Sequence, residues 1–213
     1  MVNKNVVATT SVARRSLLLG GLLLLASPQA SAGAQREEPL VDSIRSALSA
    51  SIAQAAPPRP KFERDDARMA YLTWLGTMSE RLKKRKTETQ IRIEFLETVW
   101  YEAKRAGLEP SLVLGLIQVE SGFRKYAIST AGARGYMQVM PFWAKVIGDG
   151  DAGRLFHMQT NLRFGCVILR HYLDIEKGDL YLALGRYNGS RGRPEYPNAV
   201  FASRRLWLLP GEK

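Results

Sequence analysis

A mostly α fold is predicted by three observations. Apolar residues recur three and four positions apart in most segments, the period of one helix face. Proline and glycine stand at the ends of those segments, where helices start and stop. No stretch alternates convincingly between apolar and polar residues, and no internal repeat is found. The 213 residues suffice for one catalytic-sized domain with an appendage. A 46% hydrophobic and 24% charged composition excludes an intrinsically disordered chain. Basic residues outnumber acidic ones by 31 to 20, a net charge of +11 that points to a polyanionic neighbour such as nucleic acid, anionic lipid or an acidic cell-wall polymer. The single cysteine, Cys166, excludes a disulfide framework, a cysteine-rich zinc site and thiol–disulfide exchange.

The first thirty or so residues carry the pattern of an export signal. Lys4, Arg14 and Arg15 give a basic start, and Leu17 to Ala26 is an apolar core interrupted by Gly20 and Gly21. A bilayer span takes roughly 20 apolar residues, so this run is too short for an anchor. Ala30-Ser31-Ala32 offers a small-x-small cleavage pattern, read as cleavage after Ala32 with Ala30 the alternative. Residues flanking Arg14-Arg15 fit a twin-arginine signal poorly, which favours general secretion, and no cysteine at the cleavage site invites a lipid anchor. The chain after Ala32 keeps 28 basic against 20 acidic residues, +8.

The domain organisation expected is 1–32 signal peptide, 33–61 low-complexity and proline-rich linker, 62–87 basic helical extension and 88–213 main domain. In the linker, Val41, Ile44, Leu48 and Ile52 make a weak helical stripe on a Ser/Ala-rich background, and Pro57, Pro58 and Pro60 stiffen the end of the segment. Beyond Phe62, Arg68, Leu72, Leu75 and Leu82 share a face flanked by Trp74 and Met78. Arg81 and Lys83 to Lys86 then place five cations within six residues; a solvated helix end is the commoner reading, and no aromatic residues interleave with them to stack bases.

Thr87-x-x-Gln90 reads as a capping box for a helix with Ile91, Phe95 and Val99 on its apolar face, ended by Gly107. Pro110 is placed as the first-turn proline of a helix reaching Ser121, stopped by Gly122. A Gly-rich loop from Ala127 leads to a short helix over 141–147. A longer helix over 160–176 carries Leu162, Cys166, Leu169 and Leu173 on one face, and helices over 180–187 and 196–208 complete the chain.

One residue conflicts with its stripe. Val113, Leu116 and Ile117 point the helix from Pro110 toward the core, and seven residues beyond Val113 stands Glu120. A carboxyl group in apolar surroundings keeps its proton, and an acid still protonated near neutral pH is what a departing glycosidic oxygen needs. The opposite reading, a helix end pointing to water, is equally compatible with the spacing. Other constellations are weak. His157 and His171 lack paired ligand spacing; Asp149 and Asp151 lack the glycine and glutamate a calcium loop needs at Arg154 and Thr160. Asn188-Gly189-Ser190 matches a common glycosylation pattern, and Cys166 is most simply a buried apolar side chain. No cofactor and no metal are expected.

Glu120-Ser121-Gly122-Phe123, Gly132-Ala133-Arg134-Gly135-Tyr136-Met137-Gln138-Val139-Met140-Pro141 and Tyr187-Asn188 resemble the three signature motifs of the soluble lytic murein transglycosylases. Asn161 to Gly165, with Tyr172-Leu173, is similar to that family's supporting helix, and the resemblance runs from about Glu88 to Arg205. It implies a lysozyme-like helical catalytic domain with a groove for peptidoglycan, and cleavage of the β-1,4 bond between N-acetylmuramic acid and N-acetylglucosamine to leave 1,6-anhydromuramoyl ends. By that resemblance Glu120 is the single acid/base. Ser129 would reach the N-acetyl group or neighbouring sugar oxygens, Gln138 and Met140 would line the groove, the Tyr187 hydroxyl would orient Glu120 or the N-acetyl group, and Asn188 would buttress the turn. The sequence departs at Tyr136, where the motif has leucine, and at Arg186, where a small residue is usual; Arg186 brings a cation near the groove that suits acidic peptide stems.

A periplasmic location follows from the export signal, with peptidoglycan strands as the partner. Residues 62–87 either pack on the domain or dock it to an envelope or secretion complex. No nucleic-acid partner and no membrane span are expected. The rivals are a hydrolytic muramidase on the same fold and a non-catalytic wall-binding or assembly module.

Overall fold

The computed structural model describes residues 35–53 and 60–212. The expected signal peptide and Pro57-Pro58 lie outside the described residues. The rest is helical: α1 (Asp42–Ala53), α2 (Asp65–Leu82), α3 (Thr89–Arg105), α4 (Pro110–Ser121), α5 (Pro141–Ile147), α6 (Met158–Ile175), α7 (Leu180–Tyr187) and α8 (Glu195–Arg205), with a 3₁₀ turn at Ala152–Phe156. Pairing between extended segments among the described residues is confined to two isolated bridges in the loop before α5, Ile128 with Arg134 and Arg134 with Val139. The fold class is mostly α. No helix among the described residues is long and apolar enough to cross a membrane.

α4 lies at the centre because its sequence is apolar all round: Leu112, Val113, Leu114, Leu116 and Ile117 are all buried. Pro110 occupies its first turn, where a missing N–H costs nothing, and Gly122 ends it at φ 57°, a left-handed conformation that glycine adopts without a Cβ clash. α8 lies tightly along α4. A Cβ on Gly115 would stand 2.7 Å from the Arg204 backbone nitrogen, so glycine is what lets the two backbones approach. Trp207 Nε1 donates to Gln118 Oε1 at 3.0 Å and fixes the far end of this contact.

Two segments read from sequence as peripheral are docked onto this core. Tyr71, Trp74, Met78 and Leu82 of α2 are buried in the same hydrophobic cluster as α3 and α4. The basic end of α2 is spent on the domain. Arg81 Nη1 donates to the Leu206 and Leu208 carbonyls at 3.0 and 2.6 Å, Arg85 stacks over Phe123, and Lys86 Nζ donates to the Tyr136 hydroxyl at 2.7 Å while lying over the Phe95 and Tyr136 rings. The departure at Tyr136 thus has a partner in Lys86. Burial, helped by repulsion from Lys125, pushes the Lys86 ammonium down to about 8.

The weak stripe before the prolines forms helix α1, packed through Leu48 and Ile52 while Val41 and Ile44 stay exposed. Its last-turn carbonyls supply what the apolar stripe lacks. Arg105 donates to the Ser51 carbonyl at 2.6 Å and Arg163 to the Ile52 carbonyl at 3.3 Å, cations placed at the negative end of the helix dipole. Both guanidiniums also pair with buried Glu102. At α3 the expected capping box is replaced. Glu88 is the N-cap and makes no side-chain cap, and buried Arg92 gathers the turn instead by donating to the carbonyls of Lys86 and Thr87 and to the hydroxyls of Ser79 and Thr89.

Candidate active site

Glu120 closes the last turn of α4 on the same face as Val113 and Ile117, and is 5% exposed. The solvent-facing reading of this helix end is therefore excluded. Burial pushes the Glu120 carboxyl up to about 8, and a hydrogen bond from Tyr196 pulls in the opposite direction without cancelling it. Tyr196 Oη donates to Glu120 Oε1 at 2.5 Å, and Oε2 has no protein partner among the described residues. α8 carries Tyr196, so the close α4–α8 crossing at Gly115 is what delivers the phenol to the carboxyl. In sequence Tyr196 stands out only as the start of a helix; its role depends on a crossing that no local pattern marks.

The loop of 127–140 is anchored from three sides. Ser121 Oγ donates to the Tyr136 carbonyl at 2.7 Å, tying the loop to the end of α4. From α6, Asn161 accepts from Met137 N at 2.8 Å and donates to the carbonyls of Arg134 and Leu155, both at 2.8 Å. Gly135 makes that anchor possible: it sits at φ 74°, and a Cβ there would lie 2.4 Å from Asn161 Nδ2. From α7, the Tyr187 hydroxyl donates to the Met137 carbonyl at 2.8 Å.

The expected site residues take distinct places on this frame. Tyr187 is fully buried; burial and the Glu120 charge push its phenol well up, which keeps it a neutral donor. Its hydroxyl holds the loop rather than Glu120, whose phenol partner is Tyr196. Gln138 is 2% exposed at φ 48°, and its amide donates to the Ala127 and Gly135 carbonyls at 3.1 and 2.9 Å, so the side chain braces the loop from within. Met140 is half-buried beside it. Ser129 Oγ accepts from Ala133 N at 3.1 Å, a bond within the loop rather than to Glu120, and it keeps its own proton to donate. Asn188 Nδ2 donates to Ser190 Oγ at 3.0 Å in the turn after α7.

Residues before α1 also enter the site. Gln35 is 4% exposed; its amide donates to the Gln138 carbonyl at 3.4 Å and accepts from Met140 N at 3.3 Å. Glu38 Oε1 and Oε2 both accept from Arg186 Nη1, at 2.7 and 3.0 Å. No cluster of three or more potential metal ligands occurs among the described residues. Asp149 is engaged by the Asp151 backbone N–H and by Arg154. The chemistry available is therefore that of one protonated carboxylic acid, with a phenol set to stabilise its anion once the proton has left.

Comparison with known proteins agrees with this arrangement. The family model described as the transglycosylase SLT domain matches residues 97–200. The chain is 33% identical over 134 residues to membrane-bound lytic murein transglycosylase C of Actinobacillus pleuropneumoniae serotype 5b (strain L20), covering 54% of this chain and 34% of that protein. It is 33% identical over 104 residues to the transglycosylase of Enterobacteria phage PRD1, covering 49% and 38%. It is 47% identical over 93 residues to the membrane-bound lytic murein transglycosylase C of Haemophilus influenzae (strain PittEE), covering 38% and 26%. The chain thus spans between about a quarter and two fifths of the length of these curated relatives. An inactive mutant of the lytic transglycosylase Slt from Pseudomonas aeruginosa matches at 24% identity with a TM-score of 0.43, over 66% of this chain and 27% of that one. With Glu120, the anchored loop and Tyr187 all inside the matched span, the chain belongs, through residues 97–200, to the transglycosylase SLT domain family.

Proposed function

We propose that this protein is an exported lytic transglycosylase that cleaves the β-1,4 bond between N-acetylmuramic acid and N-acetylglucosamine in peptidoglycan, leaving 1,6-anhydromuramoyl ends, with Glu120 as the single acid/base. The observation that carries the reading is a buried carboxyl held protonated to about pH 8 by its surroundings. Glu120 gives its proton to the glycosidic oxygen as the bond to the anomeric carbon breaks. The resulting carboxylate, stabilised by the Tyr196 hydroxyl, takes the proton of the muramoyl C6 hydroxyl as that oxygen bonds to the anomeric carbon. The acid is regenerated and no water is consumed, so the reaction is a lyase reaction.

One carboxylate suffices because the substrate supplies both the nucleophile and, through its N-acetyl group, stabilisation of the positive charge; ordinary glycosidases need two. Burial dominates the Glu120 proton, and Tyr196 pulls the other way. The loop braced by Gln138 and the half-buried Met140 forms the groove wall beside the acid. The +8 charge after the export signal suits capture at an acidic wall polymer in the periplasm. α2 is packed into the domain core, which supports an internal role for residues 62–87 rather than a free docking arm.

The test is mass spectrometry of muropeptides released from purified peptidoglycan, with Glu120→Gln alongside. Products one water lighter than reducing-end forms, absent with the variant, are expected. Ordinary reducing ends would make the protein a hydrolytic muramidase, and equal release by the variant would remove Glu120 from the chemistry.

A further inference from the structure

Beside the acid loop, α7 ends in a strongly cationic pocket of about 350 Å³ lined by Arg36, Glu38, Arg186, Gly189, Ser190, Arg191 and Arg193. Buried Glu176 organises it: Arg191 holds its two carboxylate oxygens at 2.7 and 2.8 Å, and Arg186 Nε donates to Oε1 at 2.8 Å. Glu176 can offset one of these guanidiniums. The outward-facing Arg186 Nη1 is met by Glu38, which comes from the segment before α1 and is 43% exposed at its side chain. Three residues earlier, Gln35 places a primary amide against the backbone of Gln138 and Met140. Residues 35–38 therefore run from the wall of the acid site to the cationic pocket, with an amide at one end and a carboxylate at the other.

That order of groups matches a substrate. An acetamido group offers the same donor and acceptor as the Gln35 amide, and a peptide stem on a muramoyl residue carries free carboxylates. Resting on the transglycosylase reading above, we propose that Arg186 is a carboxylate seat that reads the peptide stem of peptidoglycan, and that residues Gln35–Glu38 cover it as an intramolecular stand-in. If Glu38 withdraws and carries Arg36 with it, the pocket keeps Arg186, Arg191 and Arg193, of which Arg186 and Arg191 share Glu176, and it takes an anion. Glu176 takes Arg186 Nε and Nη2, and the remaining Nη1 suits a carboxylate, the group it already holds. The stand-in is exchangeable because a half-exposed ion pair contributes little by itself. It competes because its anchorage through α1 keeps it near the pocket, with an effective concentration on the order of millimolar.

The experiment measures equilibrium binding of two soluble ligands to the protein in a Glu120→Gln background, which prevents turnover. One ligand is an N-acetylglucosaminyl-muramoyl disaccharide bearing its peptide stem; the other is the same disaccharide after amidase removal of the stem. Glu38→Gln is expected to tighten the stem-bearing ligand by about fivefold relative to the stem-free one, the scale of losing a weak tethered competitor. Arg186→Gln is expected to abolish the preference for the stem-bearing ligand, weakening it by about tenfold, the scale of one charge-assisted hydrogen bond. Arg186→Lys should restore part of it. A preference unchanged by both glutamine variants, equal weakening of both ligands by Arg186→Gln, or binding of neither ligand would overturn the seat. The predicted preference without anhydro product from the protein with Glu120 intact would support the seat and count against the reaction.

Discussion

Glu120 and Glu176 are the same side chain at similar exposure, 5% and 8%, yet they are held in opposite charge states. Glu120 meets one neutral phenol, and its carboxyl is pushed up to about 8. Glu176 meets Arg191 and Arg186, which outweigh its burial and hold its carboxyl down at about 2. Depth and neighbours act together: Glu120 lies deep against a phenol, whereas Glu176 lies close under the surface, where two arginines favour its charge more than burial opposes it. A cation obeys the same rule: Lys86, half-buried against Phe95 and Tyr136 with no carboxylate in contact among the described residues, is pushed down.

The largest expected effect is on the acid. Glu120→Gln should cut product release by about a thousandfold, within the range for a lost general acid, while the near-ultraviolet circular dichroism spectrum is unchanged. The same variant has a stability signature. The folded carboxyl binds its proton more tightly than the unfolded one, so between pH 4.5 and about 8 the unfolded state has the fewer protons. Wild-type stability should therefore fall across that window, by about 1.4 kcal/mol per pH unit at most. Glu120→Gln should show no such fall, and denaturant midpoints at pH 4.5, 6 and 8 check this.

Glu176→Gln should act with the opposite sign. Its folded carboxyl sits below the unfolded value of 4.5, so the stability it contributes is present above 4.5 and is lost as pH falls toward about 2. At pH 7 the variant should lose about 2 kcal/mol, reduced from the cost of a fully buried pair because Arg191 is half exposed. Acid and urea unfolding of variant and wild type should converge near pH 2. Convergence at pH 7 would show that the arginine clamp contributes nothing.

Tyr196→Phe should have a smaller effect. Removing the donor that favours the carboxylate should raise the Glu120 pKa further and slow turnover by about tenfold, the value of one hydrogen bond to a charged group. The alkaline limb of the pH–rate profile should move up with it. Smallest of all, Lys86→Met should change stability by about 1 kcal/mol or less at pH 7, because the lost hydrogen bond to Tyr136 is offset by relief of a buried charge. A larger loss in chemical denaturation would mean that the lysine–ring stack matters more than its desolvation.

The parts of this molecule legible in its sequence are those written by local chemistry. Pro110 and Gly122 bound α4 in sequence and in structure, and Glu120 stands out because it interrupts a stripe confined to that one helix. The features that escape a sequence reading depend on residues distant along the chain. Tyr196 reaches Glu120 across 76 positions because Gly115 lets α8 lie close. The basic run at the end of α2 looks like a solvated end until Arg81, Arg85 and Lys86 find carbonyls and rings of the domain. α1 looks like a tether because its apolar stripe is weak, and the arginines that hold its C-terminus lie 54 and 111 residues away. The capping box at Thr87 fails for a local reason: the helix starts two residues later, at Thr89, with Glu88 as its N-cap, and Arg92 ties down the Lys86 and Thr87 carbonyls.

The catalysis proposed for this site requires that Glu120 keep its proton at neutral pH. The direct measurement is a pH titration of carboxyl carbons by NMR in glutamate-labelled protein, with Glu120→Gln used to assign the resonance that disappears. A Glu120 midpoint near 8, well separated from a Glu176 midpoint near 2, is the predicted result. A Glu120 midpoint at the ordinary value of 4.5 would mean that the residue is ionised at neutral pH, and would contradict its role as the proton donor.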